Sequence, residues 1–217
     1  MTWKSAKGLD GKVPCHDPAQ ADAILKHFGY VKPKGRQKSH WPCYRGFQEY
    51  SVVIGAYGDA IFIHDRVIYE FFPQQRVYGL DPSSDIHPYL RAALYLFPKG
   101  KLLAMAVINP VLFAGYAYFE RGKLLRQYVA DANYDLISEF GELQPEEQPA
   151  FDRSKIIDGK RIFYDEVAGK TEEFDAGSYG NTLAERMSEK FFGAPFRLTD
   201  CPMELFSFRE DNLVVEN

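Results

Sequence analysis

Apolar positions recur along the chain with two different periods. Three stretches carry the helical one. Ala21, Ile24, Leu25 and Phe28 fall at i, i+3, i+4 and i+7, an apolar stripe on one helix face. Asp17 stands where a cap belongs, Pro18 suits the first helical position, Gln20 completes a capping box, and Gly29 can end the helix in a left-handed conformation. Leu90, Ala93, Leu94 and Phe97 predict a second helix over residues 86–96, capped by Asp85 and ended by Pro98-Lys99-Gly100. Leu183, Met187 and Phe191 predict a third, starting near Asn181 or Thr182 and ending at Gly193.

Elsewhere the pattern is that of strands. Residues 50–57 and 60–64 are joined through Gly58-Asp59, a connection that suits a tight hairpin. A third strand covers 67–72 and is closed by Pro73. Residues 101–108, 111–120 and 123–130 then form a three-stranded meander, with Arg121-Gly122 as its second turn. Its first two strands carry almost no charge and are expected to lie centrally, buried on both faces. The third holds Lys123, Arg126 and Gln127 and is expected to be more exposed. Further strands are predicted at 136–143, at 161–167 and, as a final edge strand, at 204–209. Residues 30–47, 73–87 and 144–149 read as loops. The sum is one α+β domain over residues 1–217, a mostly antiparallel sheet with about three helices packed on it.

The run from Leu102 to Phe119 has no charge over 18 residues, close to the minimum for a membrane helix. Asn109-Pro110 at its centre favours a turn, so two buried strands are the better reading. Residues 1–12 lack the apolar segment of a secretory signal. Cys15, Cys43 and Cys201 are odd in number and widely spaced, which suits a reducing cytoplasm rather than a disulfide framework.

Composition sharpens the picture in two places. With 217 residues, 46% hydrophobic and 26% charged, the chain can bury enough surface to fold, which excludes a disordered or low-complexity class. An aromatic content of 15% suits a pleated, half-buried surface. The net charge of −4 hides a gradient. Residues 1–50 balance at +5, with nine Lys/Arg against four Asp/Glu, and residues 131–176 at −8, with five against thirteen. Such segregation can mark attraction within the fold or two binding faces.

The stretch 113–151 resembles a family of uncharacterised bacterial proteins of similar length. The likeness rests on the aromatic strand Tyr116 to Phe119, Gly122, Leu124 and Arg126 in a G-x-L-x-R pattern, the acidic patch 131–135, Gly141-Glu142, and the close from Glu147 to Phe151. The Phe191-Phe192-Gly193 helix ending is also similar. The chain departs from the family where an Asp-Asp-Gly turn is expected and Asp131-Ala132-Asn133 stands. The resemblance implies a fold and a bacterial, cytoplasmic setting, and supplies no catalytic residue.

Candidate chemistry is sparse. Cys15-His16 and His40-x-x-Cys43 are possible zinc ligands, but adjacent ligands chelate together awkwardly, so no metal is assigned. Phosphate-binding glycine loops are absent and no cofactor is implied. His64 and Asp65 end a predicted strand and, with Tyr69, are the weak candidates for a catalytic set. Asp131, Asp135, Glu139 and Glu142 form an acidic run fit to meet a basic partner, or simply a solvated edge. Lys34, Arg36, Lys38 and Trp41 interleave charge with an aromatic ring, a mixture that can bind single-stranded nucleic acid. A sequence pI near 5.8 argues against that as the main role. The expectation is therefore a non-catalytic protein-interaction module, with an immunity or antitoxin-type protein as one concrete form. An enzyme with a site near His64 and a nucleic-acid module through residues 32–45 are the alternatives. Open sheet edges would also allow a homodimer.

Overall fold

The computed structural model describes residues 2–3, 16–30, 32–40, 51–57, 60–65, 88–108, 113–130, 136–192 and 202–208. In chain order these form β1 (Thr2–Trp3), α1 (Pro18–His27), β2 (Gly35–His40), β3 (Ser51–Tyr57), β4 (Ala60–Asp65), α2 (Pro88–Leu96), β5 (Lys101–Ile108), β6 (Phe113–Glu120), β7 (Lys123–Ala130), β8 (Leu136–Gly141), α3 (Gln148–Asp152), β9 (Lys155–Ile157), β10 (Lys160–Val167), β11 (Lys170–Asp175), α4 (Ala176–Phe192) and β12 (Pro202–Ser207). Nine strands make one sheet in the order β2-β12-β3-β4-β1-β5-β6-β7-β8, and β11-β10-β9 make a second. Every described pairing is antiparallel. The α+β class and the 101–130 meander are as expected.

Alternation along the strands gives the large sheet two apolar faces. Ile54, Ala56, Ile61, Ile63, Leu102, Ala104, Ala117 and Val129 line one, under α1 and α2. Val53, Phe62, Leu103, Tyr116, Tyr118 and Tyr128 line the other, under α3, α4 and the β10 residue Phe163. The small sheet thus shares a core with the large one. Leu102 and Phe119 pair across β5 and β6, so the charge-free run is a hairpin of buried strands. Among the described residues no helix is long and apolar enough to cross a membrane.

Local chemistry accounts for the element ends. The Asp17 carboxylate accepts from the N–H groups of Ala19 and Gln20 at 2.9 and 3.2 Å, which satisfies two of the donors left free at the start of α1. The capping box does not close in the expected way: the Asp17 N–H instead donates to the Ala56 carbonyl at 2.9 Å and fastens the helix to β3. Gly29 takes φ +81°, as its position required. Arg121-Gly122 turns with φ +53° and +75°, the paired positive angles of a tight hairpin turn.

Several expectations are corrected. Residues 35–40 are a strand rather than part of a loop, since β2 pairs along β12 from Gly35 to His40. Its polar sequence GRQKSH shows no apolar alternation to betray it. Strand β12 is not an edge strand but lies between β2 and β3. Strand β7 is buried along most of its length, Arg126 and Gln127 included. Helix α4 starts at Ala176, earlier than the sequence suggests. Gly177 and Gly180 are poor helix formers in that first turn, yet Gly180 is a packing residue: a Cβ there would meet the Ala114 Cβ at 2.6 Å. The predicted strand 67–72, the cap Asp85, Gly58-Asp59 and the Gly193 helix ending lie outside the described residues.

Candidate functional site

The acidic run leads to the β6–β8 end of the large sheet. There Arg126 and Glu147 are both 0% exposed. Arg126 Nε donates to both Glu147 oxygens at 2.9 and 3.1 Å, and Nη2 donates to Glu139 Oε1 at 2.9 Å. Its Nη1 reaches the carbonyls of Phe140 and Gly141 at 3.3 and 3.4 Å. The Tyr116 hydroxyl donates to Glu147 Oε1, and the Gln144 N–H donates to Oε2 at 2.8 Å. The guanidinium lies over the Phe151 ring, 5.5 Å from its centroid, and Arg161 lies 4.9 Å from the same ring.

Burial, reinforced by the Glu147 charge, pushes the Tyr116 phenol well above its usual range. Burial alone would lower the Arg126 pKa, but Tyr116, Glu147 and Glu139 outweigh it and the net shift is upward. With Tyr116 protonated at neutral pH, Glu147 and Glu139 are the working counter-charges. A carboxylate with both oxygens engaged and no exposure is a poor general base, because no substrate proton comes within reach. The cluster's chemistry is that of a tie: one ion pair binds β6, β7, β8 and the turn before α3.

Gly141 completes it. At φ +81°, a Cβ would meet the Leu125 carbonyl oxygen at 1.9 Å, so only glycine closes this strand end. Tyr116, Arg126, Gly141, Glu147 and Phe151 therefore meet in one place. Their burial and mutual pairing were hidden in the sequence, which showed only an Arg in a predicted strand and a Glu in a later loop.

The tie holds β8 in place, and β8 ends the sheet order. Phe140 is half exposed on it, and Leu136 is exposed as well. Glu139 is bound by Arg126, while Glu142 follows the strand in solvent. Asp131 and Asp135 lie outside the described residues. No Lys or Arg occurs between Arg126 and Arg153, an interval with seven carboxylates. At the opposite end of the sheet order stands β2. No Asp or Glu occurs between Asp22 and Glu49, an interval with six cations. Lys34 and Lys38 are exposed there. Arg36 is committed: its Nη1 donates to both Asp22 oxygens at 3.1 and 3.0 Å, and its Nε to Glu204 Oε2 at 2.8 Å. Trp41 lies outside the described residues.

Of the catalytic candidates, His64 and Asp65 are placed by their backbone at the end of β4. In backbone register His64 stands opposite Val53 and Asp65 opposite Val52. Tyr69 lies outside the described residues. Of the zinc candidates, His16 is engaged instead. Its Nδ1 accepts from the Ala56 N–H at 3.2 Å, which leaves the proton on Nε2, 3.8 Å from Glu204 Oε1. Burial holds this imidazole below its usual pKa, against the pull of Glu204. Cys15 and Cys43 lie outside the described residues, and no group of metal-ligating side chains occurs among those described.

One further polar cluster was not foreseen. Asp165 on β10 accepts from the Tyr179 hydroxyl at 2.7 Å and pairs with Arg153 and Arg186 at 3.1 and 3.3 Å. Burial would raise the Asp165 carboxyl, but Tyr179, the Glu166 N–H and the two arginines hold it below its usual range. Burial and Asp165 push Tyr179 up to about 12. The set clips the small sheet to α4. No family model matches the chain, and no curated protein or solved structure is significantly similar to it.

Proposed function

We propose that the protein is a non-catalytic, cytoplasmic binding module that captures another protein, of the kind that neutralises a toxic partner. The observation that carries the reading is the parting of charge by the sheet: cations gather around β2 at one end of the strand order, carboxylates around β8 at the other. The described buried acids and bases are meanwhile spent on fastening strands, as with Arg126, Glu147 and Glu204. A folded body with fixed, opposed surface charge and its buried charges committed to structure is suited to recognition. Complementary charge of this sort speeds capture and sets specificity. The widely spaced, odd cysteines support a reducing compartment.

The test is capture from native extract at low salt by the immobilised full-length chain. A stoichiometric basic protein, lost steeply as salt rises, is the expected result, and co-expression should relieve any toxicity of that protein. Absence of a stoichiometric partner at low salt, or turnover of a substrate by the purified chain in hydrolase and transferase panels, overturns the reading.

A further inference from the structure

The geometry points to the β8 edge as the docking strand of this module, and to an extended, lysine- or arginine-rich segment of a different protein as its occupant. The inference rests on the reading of the protein as a binding module and names the surface and the partner chemistry. Among the described residues β8 pairs only with β7, so its outer side offers backbone groups to one more strand. Phe140 and Leu136 stand exposed along it and supply apolar contact. Arg126 grips the Phe140 and Gly141 carbonyls from below, which holds the strand rigid before a partner arrives.

Charge selects the occupant. A two-fold pairing of β8 with its own copy brings two acidic edges together with no cation between Arg126 and Arg153 to offset them. A two-fold pairing through β2 likewise sets cations against cations. Pairing β2 of one copy with β8 of another matches in sign, but it is head-to-tail between opposite sheet edges and builds rings or filaments of many copies rather than a two-fold dimer. A separate basic strand satisfies the backbone, the exposed aromatic ring and the carboxylates together. Glu139 has Arg126 as its partner, so of these two described carboxylates Glu142 is the one to meet the incoming cation.

The probe is a short peptide alternating valine and lysine, with its valine–glutamate counterpart as control. Fluorescence anisotropy at low salt should show saturable binding of the basic peptide alone. Hydrogen exchange should slow at the amides of Leu136 to Phe140. A Phe140→Lys, Glu142→Lys double variant, both at exposed positions, should keep its thermal midpoint and lose about tenfold or more in affinity. No binding of the basic peptide, protection mapping to another element, or equal affinity in the variant overturns the inference. So does concentration-dependent assembly of the chain at low salt, which would make a second copy the occupant. If the variant still captures a stoichiometric basic partner from extract as well as the unmodified chain does, the docking edge is refuted while the binding-module reading stands.

Discussion

Replacing Glu147 by leucine removes the acceptor at the centre of the buried tie. The change takes the Glu147 acceptor from the Gln144 N–H and the Tyr116 hydroxyl and leaves Arg126 with Glu139 and two long carbonyl contacts. Breaking a buried pair from one side costs about 3–5 kcal/mol, because the remaining charge stays in the interior with its nearest fully buried counter-charge gone. For a chain of this size each kcal/mol moves the thermal midpoint by about 2–4 °C, so the single variant should melt roughly 6–20 °C lower. Replacing Arg126 by methionine in the same chain removes the stranded charge. Apolar replacement of a whole buried pair is often near neutral, so the double variant should recover most of the loss. Urea unfolding followed by circular dichroism gives the four corners of the cycle, and the coupling energy should exceed about 1 kcal/mol. A Glu147→Leu variant that loses less than about 1 kcal/mol, or a double variant no more stable than the single, would show that the pair does not hold this end of the sheet together.

Three other outcomes follow from the geometry. Gly141→Ala should cost more than about 2 kcal/mol and speed hydrogen exchange in β8, because strain at positive φ adds to a clash with Leu125; Gly159→Ala, at φ +77° with nothing within 4 Å, should cost only about 1 kcal/mol. Equal losses in urea midpoints would refute the clash. His16 has its folded pKa below its unfolded value near 6.5, so the unfolded chain binds the proton first as pH falls. Stability should therefore drop from pH 7.5 toward pH 5.5 more steeply in the unmodified chain than in His16→Asn, and parallel profiles would sink the assignment. Asp17→Ala should cost about 1 kcal/mol through lost capping, read from the same melts.

What the sequence discloses is governed by what is local. Helix α1 was legible because cap, proline, stripe and terminal glycine all lie within 13 residues, from Asp17 to Gly29. The β6–β7 hairpin was legible because Arg121-Gly122 satisfies a two-residue turn between strong strands. Strands β2 and β11 were not, since GRQKSH and KTEEFD alternate no apolar residues and owe their existence to partners supplied from elsewhere. Of the site, the acidity around β8 was visible. That Arg126 and Glu147, 21 positions apart, vanish into one ion pair was not, for nothing in a linear pattern distinguishes a buried charge from a solvated one.

The breadth of the large sheet has an electrical meaning. Nine strands at about 4.8 Å spacing put about 38 Å of sheet, measured across the strands, between its two edges. Physiological salt damps a surface charge within about 8 Å. Each edge is thus an isolated pole: neutralising the carboxylates beside β8 leaves the potential at Lys34 and Lys38 unchanged. The sheet works as an insulating spacer, and occupancy at one end is not signalled electrostatically to the other.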